Sequence, residues 1–123
     1  LIVAIGAALG GTGRYWVAHI VQSHLPPQFP YGTLTVNILG SFILGIVVFA
    51  SEMEFLVPPE ARLFMAVGFC GAFTTFSTFS YETVRLLQDA EYVVASMNIV
   101  LNVVLTLVGF VMAMVVLKQL AGG

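Results

Sequence analysis

The run Gly68-Phe69-Cys70-Gly71-Ala72-Phe73-Thr74-Thr75-Phe76-Ser77-Thr78-Phe79-Ser80-Tyr81-Glu82 holds four phenylalanines, six hydroxyl side chains and two glycines. Phe73, Phe76 and Phe79 recur every three residues, so on a helix neighbouring members share a face. The rim of a phenyl ring is the positive end of its quadrupole. Two ring edges can therefore replace part of the water shell of a small anion. Thr74, Thr75, Ser77, Thr78 and Ser80 supply O–H donors on the surrounding turns. The plainer alternative is aromatic packing against lipid or another helix. A β-branched, hydroxyl-rich run is a poor helix former, and Gly68 and Gly71 precede it, so a helix could break here. A break inside a membrane frees carbonyls that need partners, and a bound cation is one solution.

Two further stripes of polar residues stand in apolar surroundings. Asn37 lies four residues after Thr33 and four before Ser41, so all three project from one helical face. Its amide offers two N–H donors and an acceptor. Asn98, Asn102 and Thr106 recur at intervals of four, a narrow polar stripe that either joins helices or lines a polar path. Gly6 and Gly10 form a small-xxx-small pair suited to close helix contact. Arg14 either snorkels to the near interface or faces water or a partner, because a charge inside a span is costly. His19 and His24 sit too near that interface to mark a metal or proton site. Cys70, the single cysteine, reads as a small packing residue.

These residues must be positioned by membrane helices. The chain has 123 residues, 59% hydrophobic and 8% charged, whereas soluble domains carry about a quarter charged residues. Four apolar stretches, about 1–21, 33–51, 62–86 and 92–117, each approach or exceed the roughly 20 residues a helix needs to cross the hydrocarbon core. They lack the alternation of a barrel strand. The expected fold is an all-α membrane protein of four transmembrane helices in one domain, the third broken near its middle. Pro26, Pro27 and Pro30 interrupt the first connection. Glu52, Glu54, Pro58, Pro59 and Glu60 mark the second, and Gln88, Asp89 and Glu91 the third.

With four spans, Arg62 and Lys118 fall at one membrane face and Arg14 and Arg85 toward the other. This even tally gives no preferred orientation under the positive-inside rule. It fits either weak topology or a chain that inserts both ways and pairs antiparallel. A net charge of −2 offers no basic patch for nucleic acid. No set of His, Cys and carboxylate side chains converges as an enzyme would require. The N-terminus lacks a cleavable-signal pattern, and because it begins at Leu1, some native N-terminal sequence is expected to be missing.

The run Gly71-Ala72-Phe73-Thr74-Thr75-Phe76-Ser77-Thr78-Phe79 resembles the third-helix signature of the small fluoride channels called Fluc or CrcB. Gly32-Thr33-Leu34-Thr35-Val36-Asn37 with Gly40-Ser41-Phe42 resembles their second-helix signature, and Gly10-Gly11 followed by Gly13-Arg14-Tyr15 their first. The resemblance covers nearly the whole chain, the fourth span being the least diagnostic. It implies an antiparallel, dual-topology homodimer in the inner or plasma membrane, with two pores that passively export fluoride. Phe76 and Phe79 would be the pore phenylalanines and Asn37 the pore asparagine. Ser77 and Thr78 would add donors, and Thr33, Asn98 and Asn102 are further pore candidates. Gly71 and Thr74 would offer backbone carbonyls to a structural sodium ion at the dimer axis. Arg14 and Glu82 are vestibule candidates. Fluoride and a second copy of the chain are the implied partners, with no organic cofactor. A small multidrug-type proton-coupled transporter is the alternative, but it needs a carboxylate deep in a span, and Glu82 lies near the end of the third. A structural subunit would explain the glycines and stripes but not the Phe/hydroxyl cluster.

Overall fold

The computed structural model describes residues 1–53 and 57–122; Glu54, named above in the second connection, lies outside them. Among the described residues the chain is helical, with no strand. Helix α1 spans Ile2–Ser23 and α2 spans Tyr31–Glu52. The third stretch divides into α3, residues 59–73, and α4, Phe76–Gln88, and α5 runs Tyr92–Gly122. Three helical stretches are long and apolar enough to cross a membrane: Tyr31–Glu52, Pro59–Gln88 and Tyr92–Gly122. Helix α1 has the length, at 22 residues, but its four glycines, Thr12, Arg14 and His19 dilute its apolar character.

The connections follow from local chemistry. The proline-rich loop after α1 is tied down by Gln22. Its Nε2 donates to the carbonyls of Pro26 (3.2 Å) and Phe29 (3.0 Å), and its Oε1 accepts from Gly32 N–H at 3.1 Å. Pro59 opens α3 in the first turn, where its missing N–H costs nothing. Between α4 and α5 the chain reverses through a Schellman turn. Glu91 N–H reaches Leu86 C=O (2.8 Å), and Ala90 N–H reaches Leu87 C=O (3.1 Å). Ala90 takes the left-handed position, φ 58°, that glycine usually fills.

Polar side chains share the interior with Val36, Phe73 and Leu117, and large apolar ones cover the outside. Thr33, Asn37, Thr83, Asn98 and Asn102 are buried, while Leu9, Ile20, Val93, Leu107 and Leu120 are exposed. Lipid accepts the apolar exterior, and the polar side chains must find partners inside.

Helix α3 is unusual. It is α-helical over Pro59–Arg62, π-helical over Leu63–Cys70 and α-helical again over Gly71–Phe73. Wide π turns are rare and concentrate at functional sites. The π segment lies against α1 through glycines. A Cβ on Gly68 would stand 2.8 Å from Val3 O, and one on Gly6 would stand 2.5 Å from Phe64 O. A Cβ on Gly10 would strike the Phe69 carbonyl. The backbones thus touch directly, as small-residue helix contacts in membranes allow.

Candidate functional site

The break falls at Thr74 and Thr75. Thr74 has φ −89° and ψ 157°, and Thr75 has φ −148° and ψ 118°. Both are extended. Two β-branched residues in succession fit this conformation better than they fit a helix. Helix α4 restarts at Phe76 with Thr75 as its N-cap, the Thr75 Oγ1 accepting from Thr78 N–H at 3.1 Å. A second hydrogen bond runs from Thr75 Oγ1 to Thr78 Oγ1 (2.9 Å).

An interrupted helix leaves orphan backbone groups, and side chains from other helices take several of them. Asn37 on α2 serves both polar groups of Thr75. Its Oδ1 accepts Thr75 N–H at 2.8 Å, and its Nδ2 donates to Thr75 C=O at 3.2 Å. Arg14 on α1 donates from Nε to Ala72 C=O at 3.0 Å, a cation at the C-terminal end of α3, where the helix dipole favours positive charge. Cys70 C=O receives both the N–H and the Oγ1 of Thr74, at 3.1 and 3.0 Å. Because Thr75 N–H turns to Asn37, Gly71 C=O loses its helical donor, and among the described residues no other N–H replaces it.

Asn37 also begins a chain of side-chain hydrogen bonds. Its Nδ2 donates to Asn102 Oδ1 at 3.0 Å. Asn102 Nδ2 donates to Asn98 Oδ1 and to Asn98 C=O, both at 2.9 Å. Asn98 Nδ2 donates to Thr83 Oγ1 at 3.0 Å, and Thr83 Oγ1 donates to Phe79 C=O at 2.7 Å. Asn98 is fully buried, at 0% exposure, so an unmet amide there would be costly. The residues carrying this chain sit on α2, α5 and α4.

The two phenylalanines differ in setting. Phe79 is buried, whereas Phe76 is 80% exposed on the surface of the single chain. Their ring centroids lie 5.4 Å apart and the rings tilt by 44°. They border an open cleft of about 330 Å³ that also meets Asn37, Ser41, Thr74 and Thr106. Ser77 is exposed, its Oγ 3.4 Å from Thr75 Oγ1. On the other side of α4, Thr33, Arg14, Thr75, Thr78 and Glu82 line a separate cavity of about 260 Å³. The Oε1 of Glu82 is buried with no hydrogen-bond partner among the described residues. The site candidates therefore fall into two groups that meet at Thr75, which lines both spaces. The cleft group holds Asn37, Phe76, Phe79 and Asn102, with Asn98 beneath it, and Gly71 and Thr74 edge the same cleft. The cavity group holds Thr33, Arg14 and Glu82. His19 stacks on Tyr15 at the surface (6.1 Å, 2° between planes), and Cys70 is a buried free thiol. Among the described residues no three His, Cys, Asp or Glu side chains cluster as a metal site.

Sequence reasoning overlooked Thr83 and underrated Thr75. Thr75, Phe79 and Thr83 are spaced by four, a periodicity present in the sequence. What it could not supply was the closure of Asn98 on Thr83, a contact between two helices.

A family model for CrcB-like proteins, described as Camphor Resistance (CrcB), matches residues 1–114. Among similar proteins, one from Geobacter metallireducens is 45% identical over 105 residues, 85% of each chain. One from Geobacter sulfurreducens is 42% identical over 120 residues, 98% of this chain and 97% of its own. One from Pyrococcus abyssi is 44% identical over 117 residues, 92% of this chain and 94% of its own. Each of the three bears the name fluoride-specific ion channel FluC. With the match running through all the helices and across the break that organises the site, this multi-pass membrane chain belongs to the CrcB family.

Proposed function

We propose that this protein is a fluoride-specific channel of the plasma membrane, working as an antiparallel homodimer with two pores. The observation that carries the reading is the Phe76–Phe79 pair set beside a break whose backbone is held by Asn37. The names of its relatives support it. In this reading α1 crosses the bilayer with the other helices.

Fluoride holds water tightly, so a selective path must replace that solvation with fixed donors. The ring edges of Phe76 and Phe79 and the hydroxyls of Ser77 and Thr78 offer electropositive groups at the break. Both N–H hydrogens of Asn37 already have acceptors, Thr75 C=O and Asn102 Oδ1, so Asn37 donates to an ion only by releasing one of them. The cavity with Thr33, Arg14 and Glu82 would form the vestibule on the far side of Thr78.

Two features favour the antiparallel pair. The cations give no preferred orientation: Arg62 and Lys118 lie toward one end of the bundle, Arg85 toward the other, and Arg14 leans the latter way from inside α1. In addition, the single tryptophan and all four tyrosines, Trp16, Tyr15, Tyr31, Tyr81 and Tyr92, sit in the half nearer the α1–α2 loop and the α4–α5 turn. Membrane proteins place such residues at both interfaces. Two copies in opposite orientation would restore that balance, and Phe76, open in one chain, would meet the partner. Gly71 C=O, left without a helical donor, and Thr74 C=O suit a hard cation; these two would hold a sodium ion at the dimer axis. The ion would supply a fixed positive charge near the paths.

Ion efflux from liposomes carrying purified protein tests the reading. Rapid fluoride release with little chloride release is expected. Proton-coupled export of an organic cation without fluoride leak would overturn it. Phe76→Ile and Phe79→Ile should each cut fluoride release at least tenfold while the dimer still assembles. Normal conduction by both would remove the ring-edge role.

A further inference from the structure

The side-chain hydrogen bonds from Asn37 to Phe79 run in one direction. Each amide donates onward through Nδ2 and accepts through Oδ1: Asn37 to Asn102 (3.0 Å), Asn102 to Asn98 (2.9 Å), Asn98 to Thr83 (3.0 Å). The Thr83 hydroxyl closes the sequence on Phe79 C=O (2.7 Å). The two ends are backbone groups of the site itself. One is Thr75 at the break, and the other is the residue that carries the buried ring. Within α4 the Thr75 cap already ties the break to the first turn through Thr78, and the Thr83–Phe79 bond lies inside the same helix. What the relay adds is the link from these turns of α4 through α5 to Asn37 on α2.

The geometry points to Thr83 and Asn98 as positioning residues for the ion path, seating the Phe79 turn of α4 against α5 and, through Asn102, against the Asn37 that bridges the break, without lining the cleft themselves. Asn98 is fully buried and Thr83 is 7% exposed, and neither lines the cleft beside Phe76. Thr83 is the link best suited to a test. Its hydroxyl is both the acceptor for Asn98 and the donor to Phe79 C=O. Valine keeps its shape and deletes both roles, and serine keeps both and deletes a methyl group.

This inference rests on the channel reading, so it needs a readout that survives if that reading fails. Thr83→Val and Thr83→Ser are compared with the unaltered protein as assembled membrane protein, by fluoride efflux, by the fluoride-to-chloride permeability ratio, and by amide hydrogen exchange of the segment containing Thr75. We expect Thr83→Val to slow fluoride efflux at least tenfold at equal amounts of assembled protein, to lower the permeability ratio, and to speed exchange at Thr75. Thr83→Ser should stay within about twofold of the unaltered protein in all three. Unchanged efflux, selectivity and exchange in Thr83→Val overturn the positioning role. So does an equal loss in both variants, which would mean that the site needs volume rather than a hydroxyl. Should Thr83→Val not assemble, Thr83→Cys, a weak hydrogen-bonding group of similar size, replaces it under the same criteria. If the unaltered protein passes no fluoride, the channel reading falls, while exchange at Thr75 still decides whether Thr83 holds the break.

Discussion

The two halves of the broken span are seated by opposite means. The π segment of α3 lies against α1 through bare backbone, with Gly6, Gly10 and Gly68 leaving no room for a side chain, and Arg14 adds a single polar contact at the end of α3. Helix α4 is held by polar side chains reaching from α2 and α5. A backbone contact fixes distance and depends on nothing but the absence of atoms. A hydrogen-bonded contact fixes direction and depends on the presence of particular atoms. The half ahead of the break is thus sensitive to any added carbon. The half behind it tolerates changes of size better than the loss of a donor.

The comparison can be broken most forcefully at Gly10. Gly10→Ala drives a methyl group into the Phe69 carbonyl, which cannot swing aside as a side-chain tip would. We expect a loss of about 3 kcal/mol in folding stability, measured by unfolding in mild detergent. Gly11→Ala, with nothing within 4 Å of the added carbon, should be neutral. Equal behaviour of the two variants would end the claim that α1 and α3 touch backbone to backbone.

Asn37→Leu comes next. It keeps bulk similar but strips Thr75 of both partners and leaves Asn102 Oδ1 without its donor. Unmet buried polar groups cost about 1–3 kcal/mol each where nothing relaxes, and membrane hydrogen bonds average about 0.6 kcal/mol. We expect a loss of about 2 kcal/mol and faster amide exchange at Thr75. A fully stable Asn37→Leu with an unaltered Thr75 would place the stability of α4 in packing alone.

The smallest effect lies outside both halves. Ala90 occupies a left-handed position at the end of α4, so Ala90→Gly should raise stability by about 1 kcal/mol without altering transport. A change in transport would mean that the turn itself feeds back on the seating of α4.

The sequence made the helices, the break region and the polar faces readable, because apolar runs, a β-branched hydroxyl cluster and intervals of four are all local signals. Asn37 stood out as an amide in an apolar span. Its particular task did not, because bridging Thr75 depends on how α2 crosses the gap. The π segment was invisible for a related reason. Leu63–Cys70 is an ordinary apolar run by composition, and its wide winding shows only in the folded chain, packed on α1. Asn98 stood out by its interval of four from Asn102, but its bond to Thr83 depends on how α4 approaches α5.

The one-way order of the amide relay has a consequence for the energetics of the membrane around it. A thread of water or hydroxyls across a bilayer can pass protons, provided each member accepts one and then turns to hand it on. Here the ends forbid turning. Thr75 N–H can only donate and Phe79 C=O can only accept, so each amide between them is held in a single orientation. Amides also take up no proton at physiological pH. A polar stripe built this way can brace a route for another ion without short-circuiting the proton gradient that the membrane maintains.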